Sequence, residues 1–140
     1  MKSRRVASGY LVRLERGEEA IESLASFVAK KKIPCGTIQG IGAVKNVKLG
    51  YFDTRRRAYR TKRVKGICEV LGLSGNISYL DDKPYIHTHI ILADASHKAV
   101  GGHFFEGTVA ITLEIFIQVI SKRLRRKFDR EAGFNFWDLS

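Results

Sequence analysis

The sequence predicts an α+β protein in which one main amphipathic helix packs on a mostly antiparallel, twisted β-sheet. Three observations carry that expectation. An early segment repeats its apolar residues at helical spacing. Beyond Pro34 the apolar residues alternate instead, in runs broken by Gly, Asp and Pro. The last run, TVAITLEIFIQVI, sets Val109, Ile111, Leu113, Ile115, Ile117 and Val119 at every second position, the period of a strand with one face in a core. A helix followed by many strands and tight turns is the α+β order of elements.

In RVASGYLVRLE, the alternation of Tyr10, Val12 and Leu14 marks a strand. In RGEEAIESLASFVAKKK, Ala20, Ile21, Leu24, Ala25 and Val28 form one helical stripe, with Phe27 on its flank. Glu18, Glu19 and Glu22 near the start and Lys30 to Lys32 at the end suit the helix dipole, and Pro34 stops the helix. CGTIQGIGAVKNVKLGYFD has glycines at 36, 40, 42 and 50 and reads as short β segments with bulges or bends. RAYRTKRVK is a polar strand or hairpin arm. GICEVLGLSGNISYLDDKP is extended through Ile67, Val70, Leu71 and Leu73, kinks at SGN and turns at DDKP. YIHTHIILA sets Ile86, Thr88, Ile90 and Leu92 on one face and His87, His89 and Ile91 on the other. ADASHK turns the chain, AVGGHFF returns, and Glu106–Gly107 turns it again into the last long strand. The tail SKRLRRKFDREAGFNFWDLS either continues that strand or forms a short helix through Leu124 and Phe128. Its Phe134, Phe136, Trp137 and Leu139 are too apolar for a free tail and are expected to pack on the body or on a neighbouring subunit.

With 140 residues, 44% of them hydrophobic, the chain has the size and core of one domain. MKSRRVASGY is basic but has no apolar run behind it, so it is not a secretory signal. VAITLEIFIQVI contains Glu114 and Gln118 and is too short and polar to cross a bilayer. A cytoplasmic protein with no membrane partner is expected. Cys35 and Cys68 lie far apart with no CxxC; buried, reduced thiols are expected, with a disulfide between them left open.

The net charge is +11, and 13 of the 25 basic residues fall in two stretches, Arg55 to Lys65 and Lys122 to Arg130. Such clustering attracts polyanions. Arg55, Arg56, Arg57, Arg60, Lys62 and Arg63, joined by Arg123, Arg125 and Arg126, are candidate phosphate contacts to double-stranded DNA. Charge alone gives attraction without sequence readout, and a solvated basic face is the alternative. Tyr59 within the first cluster is one ring and not a stacking platform.

All four histidines fall between His87 and His103. In an extended strand, residues i and i+2 share a side, so His-Thr-His aims two imidazoles at one region, about 7 Å apart at Cβ. With the ADASHK turn centred near Ala95 and Ser96, His103 lands opposite His87 to His89. Three imidazoles on one divalent ion leave a fourth position open, the pattern of a catalytic or exchangeable site, and zinc is the expected metal. Gly101 and Gly102 would let another group approach it closely. His97, in the polar turn, is expected to be exposed and not to be a ligand. An exposed HxH without a metal is the bland alternative.

VLGLSGNIS, IHTHIILAD and VGGHFFEGTVAITLEIFI, together with LVRLERGEEAIESLASF and GTIQGIGAVKNVKLGYFD, resemble in order the PPC domain, the plant-and-prokaryote-conserved family. The resemblance runs from about Val6 to Ile120, so residues 1–121 read as a PPC-like domain and 122–140 as a basic, aromatic extension. It implies an antiparallel sheet packed with helices and assembly into a homotrimer. Some prokaryotic members carry a three-histidine metal site, which falls here on His87, His89 and His103. In plants the domain follows an AT-hook that binds AT-rich DNA. This chain has no Arg-Gly-Arg-Pro-like core, so any DNA contact must come from its arginine clusters.

Three functions follow as expectations. One is a DNA-associated trimer holding a divalent metal. Another is a metal-dependent enzyme or small-molecule binder, with Glu106 and Glu114 the only acids near His103 in sequence and no catalytic residue assigned. The third is a pure oligomerisation module.

Overall fold

The structure, a computed structural model, describes residues 1–140. Its elements are β1 (Lys2–Val6), β2 (Gly9–Glu15), α1 (Ala20–Lys31), β3 (Cys35–Asp53), β4 (Ala58–Leu80), β5 (Lys83–Ala93), β6 (Ala99–Ile120), β7 (Arg125–Asp129) and β8 (Phe134–Asp138). The strands follow the order β1-β2-β6-β3-β4-β7-β8, and β5 pairs with both β4 and β6. All pairings are antiparallel except a single parallel bridge, Tyr79 to Arg125. The α+β expectation therefore holds. The strands β3, β4, β5 and β6 close a circuit, because β3 and β5 each pair with both β4 and β6.

The helix forms where its stripe predicts. Glu19 caps it, its carboxylate accepting from the Glu22 amide at 2.7 Å. The other Glu19 oxygen accepts from the Gly107 amide at 2.7 Å and ties the helix start to β6. Lys32 ends it in the left-handed conformation (φ 53°). Ala20, Leu24, Phe27 and Val28 are buried, and the helix packs on β5 and β6. Beneath it lie Leu14, Ile38, Leu73, Ile77, Ile90, Leu92, Phe104, Leu113, Ile115 and Ile117. Fully burying one such side chain is worth about 1.5–3 kcal/mol.

Several local expectations are corrected. RVASGYLVRLE is not one strand: β1 and β2 form a tight hairpin in which Val6 pairs with Gly9. The glycine-spaced segment is one 19-residue strand rather than several short ones, with the expected bulges between Gly40 and Gly42 and between Lys45 and Val47, and β4 runs unbroken through SGN. Glu106–Gly107 is no turn but lies inside β6. Ile111 points outward, 64% exposed, because Gly42 pairs with Leu113 while Val44 pairs with Val109. One residue of β3 thus faces three of β6, and this bulge breaks the period. The tail is neither strand continuation nor helix but the β7–β8 hairpin. Cys35 and Cys68 are both buried free thiols. No helix is long and apolar enough to cross a membrane.

Candidate metal centre

The turn after β5 sets the geometry. His89 pairs with His103 across β5 and β6, while His87 pairs with Asn76 across β4 and β5. Gly50 of β3 pairs with His103 on its other side. A Cβ on Gly101 would stand 2.7 Å from the Ile90 carbonyl oxygen, and one on Gly102 2.8 Å from that of Gly50. These two glycines therefore let β5 and β3 close on β6, and both line the hollow that His89 also lines.

The three imidazoles meet. One ring nitrogen from each of His87, His89 and His103 lies within 4.8 Å of the other two. Ring centroids are 5.1 Å apart for His87 and His103, 5.3 Å for His87 and His89, and 5.5 Å for His89 and His103. A tetrahedral ion with bonds of about 2.0–2.1 Å needs nitrogens roughly 3.4 Å apart. Rotation of the rings by an ångström or so closes that difference. His103 is buried, 6% exposed, His87 is half-buried and His89 is exposed. His97 stands apart in its turn, exposed and at φ 61°.

Aromatic rings wall the cluster. Phe105 lies 4.5 Å and Tyr59 5.0 Å from His103, centroid to centroid. Phe134 of β8 packs on Phe52, Tyr59 and His87. The Tyr59 hydroxyl is 3.5 Å from His103 Nδ1. Burial holds His87 and His103 down to about 4, with Arg126 and the neighbouring histidines adding to it. Both rings are thus neutral at pH 7, the form that ligates a metal. The donor set fits a divalent ion: three neutral imidazoles, open towards His89, walled elsewhere by rings.

Those shifts predict a pH effect on metal-free protein. Unfolded histidines take up protons near pH 6.5, whereas folded His87 and His103 do so only near pH 4. Between these values the unfolded chain binds more protons, so stability falls as pH drops through the window. Each pH unit of separation corresponds to about 1.4 kcal/mol, and with solvent screening of the partly exposed cluster the pair should cost roughly 2 kcal/mol. Urea midpoints of chelator-treated protein at pH 7 and pH 4.5 measure it; equal midpoints would contradict the burial assigned to these rings.

The other assigned residues divide into three groups. Arg55, Arg56, Arg57, Arg60, Lys62 and Arg63 are exposed on the β3–β4 hairpin, whose tip is held by Asp53 accepting from the Arg55 and Arg56 amides at 3.1 Å. Arg63 is also paired with Glu106 at 2.7 Å. Arg123 and Arg125 are exposed but share Asp82, at 3.3 and 3.4 Å, and Arg123 lies 3.9 Å over the Tyr79 ring. Arg126 is a correction: it is buried, and its guanidinium is committed to Ser78, Asn76, Asn135 and His87 rather than presented to a polyanion. Glu106 is bound by Arg63 and Lys48, which removes it as a base for the histidines. Glu114 is exposed and lines, with His89, a hollow of about 750 Å³ on the outer sheet face. Sequence reasoning missed Tyr59, Phe105, Phe134 and Asn76 as neighbours of the histidines.

Fold and site together define a single-helix antiparallel β-protein with a three-imidazole cluster on a closed strand circuit. The chain belongs to the Plants and Prokaryotes Conserved (PCC) domain family, whose sequence profile matches residues 1–121. A candidate DNA-binding protein from Bacteroides thetaiotaomicron has a similar structure (TM-score 0.94, 28% identity, 98% of this chain and 96% of that one). So does a plant- and prokaryote-conserved protein from Pyrococcus horikoshii (TM-score 0.86, 35% identity, 92% and 90%). A metal-containing protein from Archaeoglobus fulgidus is likewise similar (TM-score 0.85, 31% identity, 98% and 99%). No curated protein matches the chain.

Proposed function

We propose that this protein is a self-associating metal-binding PCC-domain protein that meets DNA through its arginine-rich hairpin. The observation that carries it is the convergence of His87, His89 and His103. These residues would hold one divalent ion, zinc by donor type, with a fourth position for an exchangeable ligand. When bound, the ion supplies Lewis acidity. Glu106 is held by Arg63 and Lys48, and Glu114 lies exposed on the open hollow that His89 lines, so metal binding is favoured over catalysis. The metal-containing Archaeoglobus relative supports the first part of this reading. Trace-metal analysis of untagged protein tests it, and a chain that purifies and reconstitutes without stoichiometric metal is instead an assembly module.

DNA association rests on the exposed hairpin charges and on the candidate DNA-binding relative from Bacteroides. Arg55, Arg56, Arg57, Arg60, Lys62 and Arg63 would meet phosphates, with Arg123 and Arg125 at a second edge and Arg126 set aside. Binding should be weak and tolerant of sequence. Six phosphate contacts predict an affinity loss of about a thousandfold between 50 and 200 mM salt. Replacing Arg55, Arg56 and Arg57 by alanine should halve the salt slope. Anisotropy titrations on a labelled duplex read both; a salt-independent affinity, or no binding at low salt, would remove DNA from the function.

A further inference from the structure

Arg126 comes from β7, in the segment beyond the family match, and is only 9% exposed. Its Nε donates to Ser78 Oγ at 2.8 Å and its Nη1 to the Asn135 carbonyl at 2.8 Å. Its Nη2 donates to Asn76 Oδ1 at 3.1 Å and lies 3.1 Å from His87 Nδ1. The guanidinium also lies 4.7 Å over the Tyr85 ring. All of these partners are neutral. Arg123 and Arg125, on the same segment, share the Asp82 carboxylate, and Arg126 has no such counter-charge. An arginine stays charged even when buried, and a buried charge without an opposite one is costly.

The chemistry of His87 connects these facts. A neutral imidazole offers one lone pair and one N–H. Arg126 can only donate, so the lone pair it meets is that of Nδ1. A cation coordinated by His87 needs that lone pair, or it turns an Nδ1–H against the guanidinium after the ring proton moves. Either way, metal coordination takes from Nη2 one of its acceptors. A negatively charged oxygen on the ion's open position would replace it and neutralise the arginine. Tyr59, Phe105 and Phe134 stand beside His103 and His87 and leave the cluster open towards His89.

We infer that the histidine centre takes a small oxyanion, a carboxylate or a phosphate, held jointly by the metal ion and the Arg126 guanidinium. This rests on the metal assignment above and gives its open position a ligand class. The test uses the full chain loaded with cobalt(II), whose visible bands respond to a change of ligand. Oxalate, inorganic phosphate and neutral acetamide are titrated separately. At least one anion should shift the bands saturably and acetamide should not, and the tighter arm identifies the source class. Arg126→Gln should keep cobalt yet weaken the anion about tenfold to a hundredfold, the worth of a hydrogen bond to a charged group. Arg126→Lys, which keeps the charge, should lose less. Equal anion affinity in wild type and Arg126→Gln overturns the inference. So does acetamide binding as tightly as the anions, a comparison made on wild type alone should Arg126→Gln not fold. A cobalt spectrum indifferent to every anion overturns this inference and leaves the metal assignment standing; no cobalt spectrum at all overturns both.

Discussion

Replacing His103 by alanine should abolish stoichiometric zinc while leaving the chain folded. His103 is the member of the cluster that comes from β6, so without it only two rings of a single strand remain. Two imidazoles on one strand, with their Cβ atoms about 7 Å apart, make a weaker chelate than three, because the strand rise and not the ion sets their spacing. Loss of a group that merely orients a ligand costs about 10–100-fold in metal affinity, and loss of a ligand should exceed that range. His87→Ala should behave alike, with the added effect of freeing Arg126 Nη2 from its contact with Nδ1. His97→Ala should keep full zinc content, since that residue sits alone in its turn. The measurement is zinc per chain in untagged protein after dialysis against a weak chelator. Retained stoichiometric metal in both His87→Ala and His103→Ala would place the ion elsewhere and dissolve the site.

That prediction could be framed from sequence because hairpin counting is reliable where the turn is marked. Asp94 and the residues after it form a tight turn, Asp94 Oδ1 accepting from the Ser96 and Lys98 amides, and counting back from it gives the pairing of His89 with His103. The same counting from the DDKP turn reaches Asn76 opposite His87, but nothing in that stretch marks the amide as part of the site. Phe134 was expected to pack on the body, but neither it nor Arg126 was legible as a neighbour of the histidines. They reach the histidines through one parallel bridge, Tyr79 to Arg125, and a parallel pairing leaves no local turn to count from. Leu124 and Phe128 are four apart and suggest a helix. The hairpin wins because Asp129 Oδ1 accepts from the Ala132 amide and Gly133 takes a positive φ of 67°. Ile111 was misplaced for a related reason. A bulge keeps the alternating composition while moving side chains to the other face, so composition alone does not reveal it.

The outward turn of Ile111 bears on assembly, where the second large effect is expected. Strand β6 is apolar on both faces: Leu113, Ile115 and Ile117 enter the core, while Ile111 and Phe116 are each 64% exposed. Ile41 and Ile91 also face outward and, with Phe116, line the hollow that includes His89. Grouped apolar side chains on an outer sheet face mark an interaction surface rather than ordinary scatter. The trimer that the PPC resemblance implies would cover this face and bring a second copy against the exposed His89. Phe116→Asp together with Ile41→Asp should therefore convert a trimer into a monomer without unfolding it. Both positions are solvent-exposed in the single chain, so the charges cost little there. In a closed interface each unpaired carboxylate costs several kcal/mol. Sedimentation equilibrium at tens of micromolar should give three chain masses for wild type and one for the double variant. Should the variant remain trimeric, the contact lies on another face, and His89 is open to solvent in the assembly as it is in the single chain.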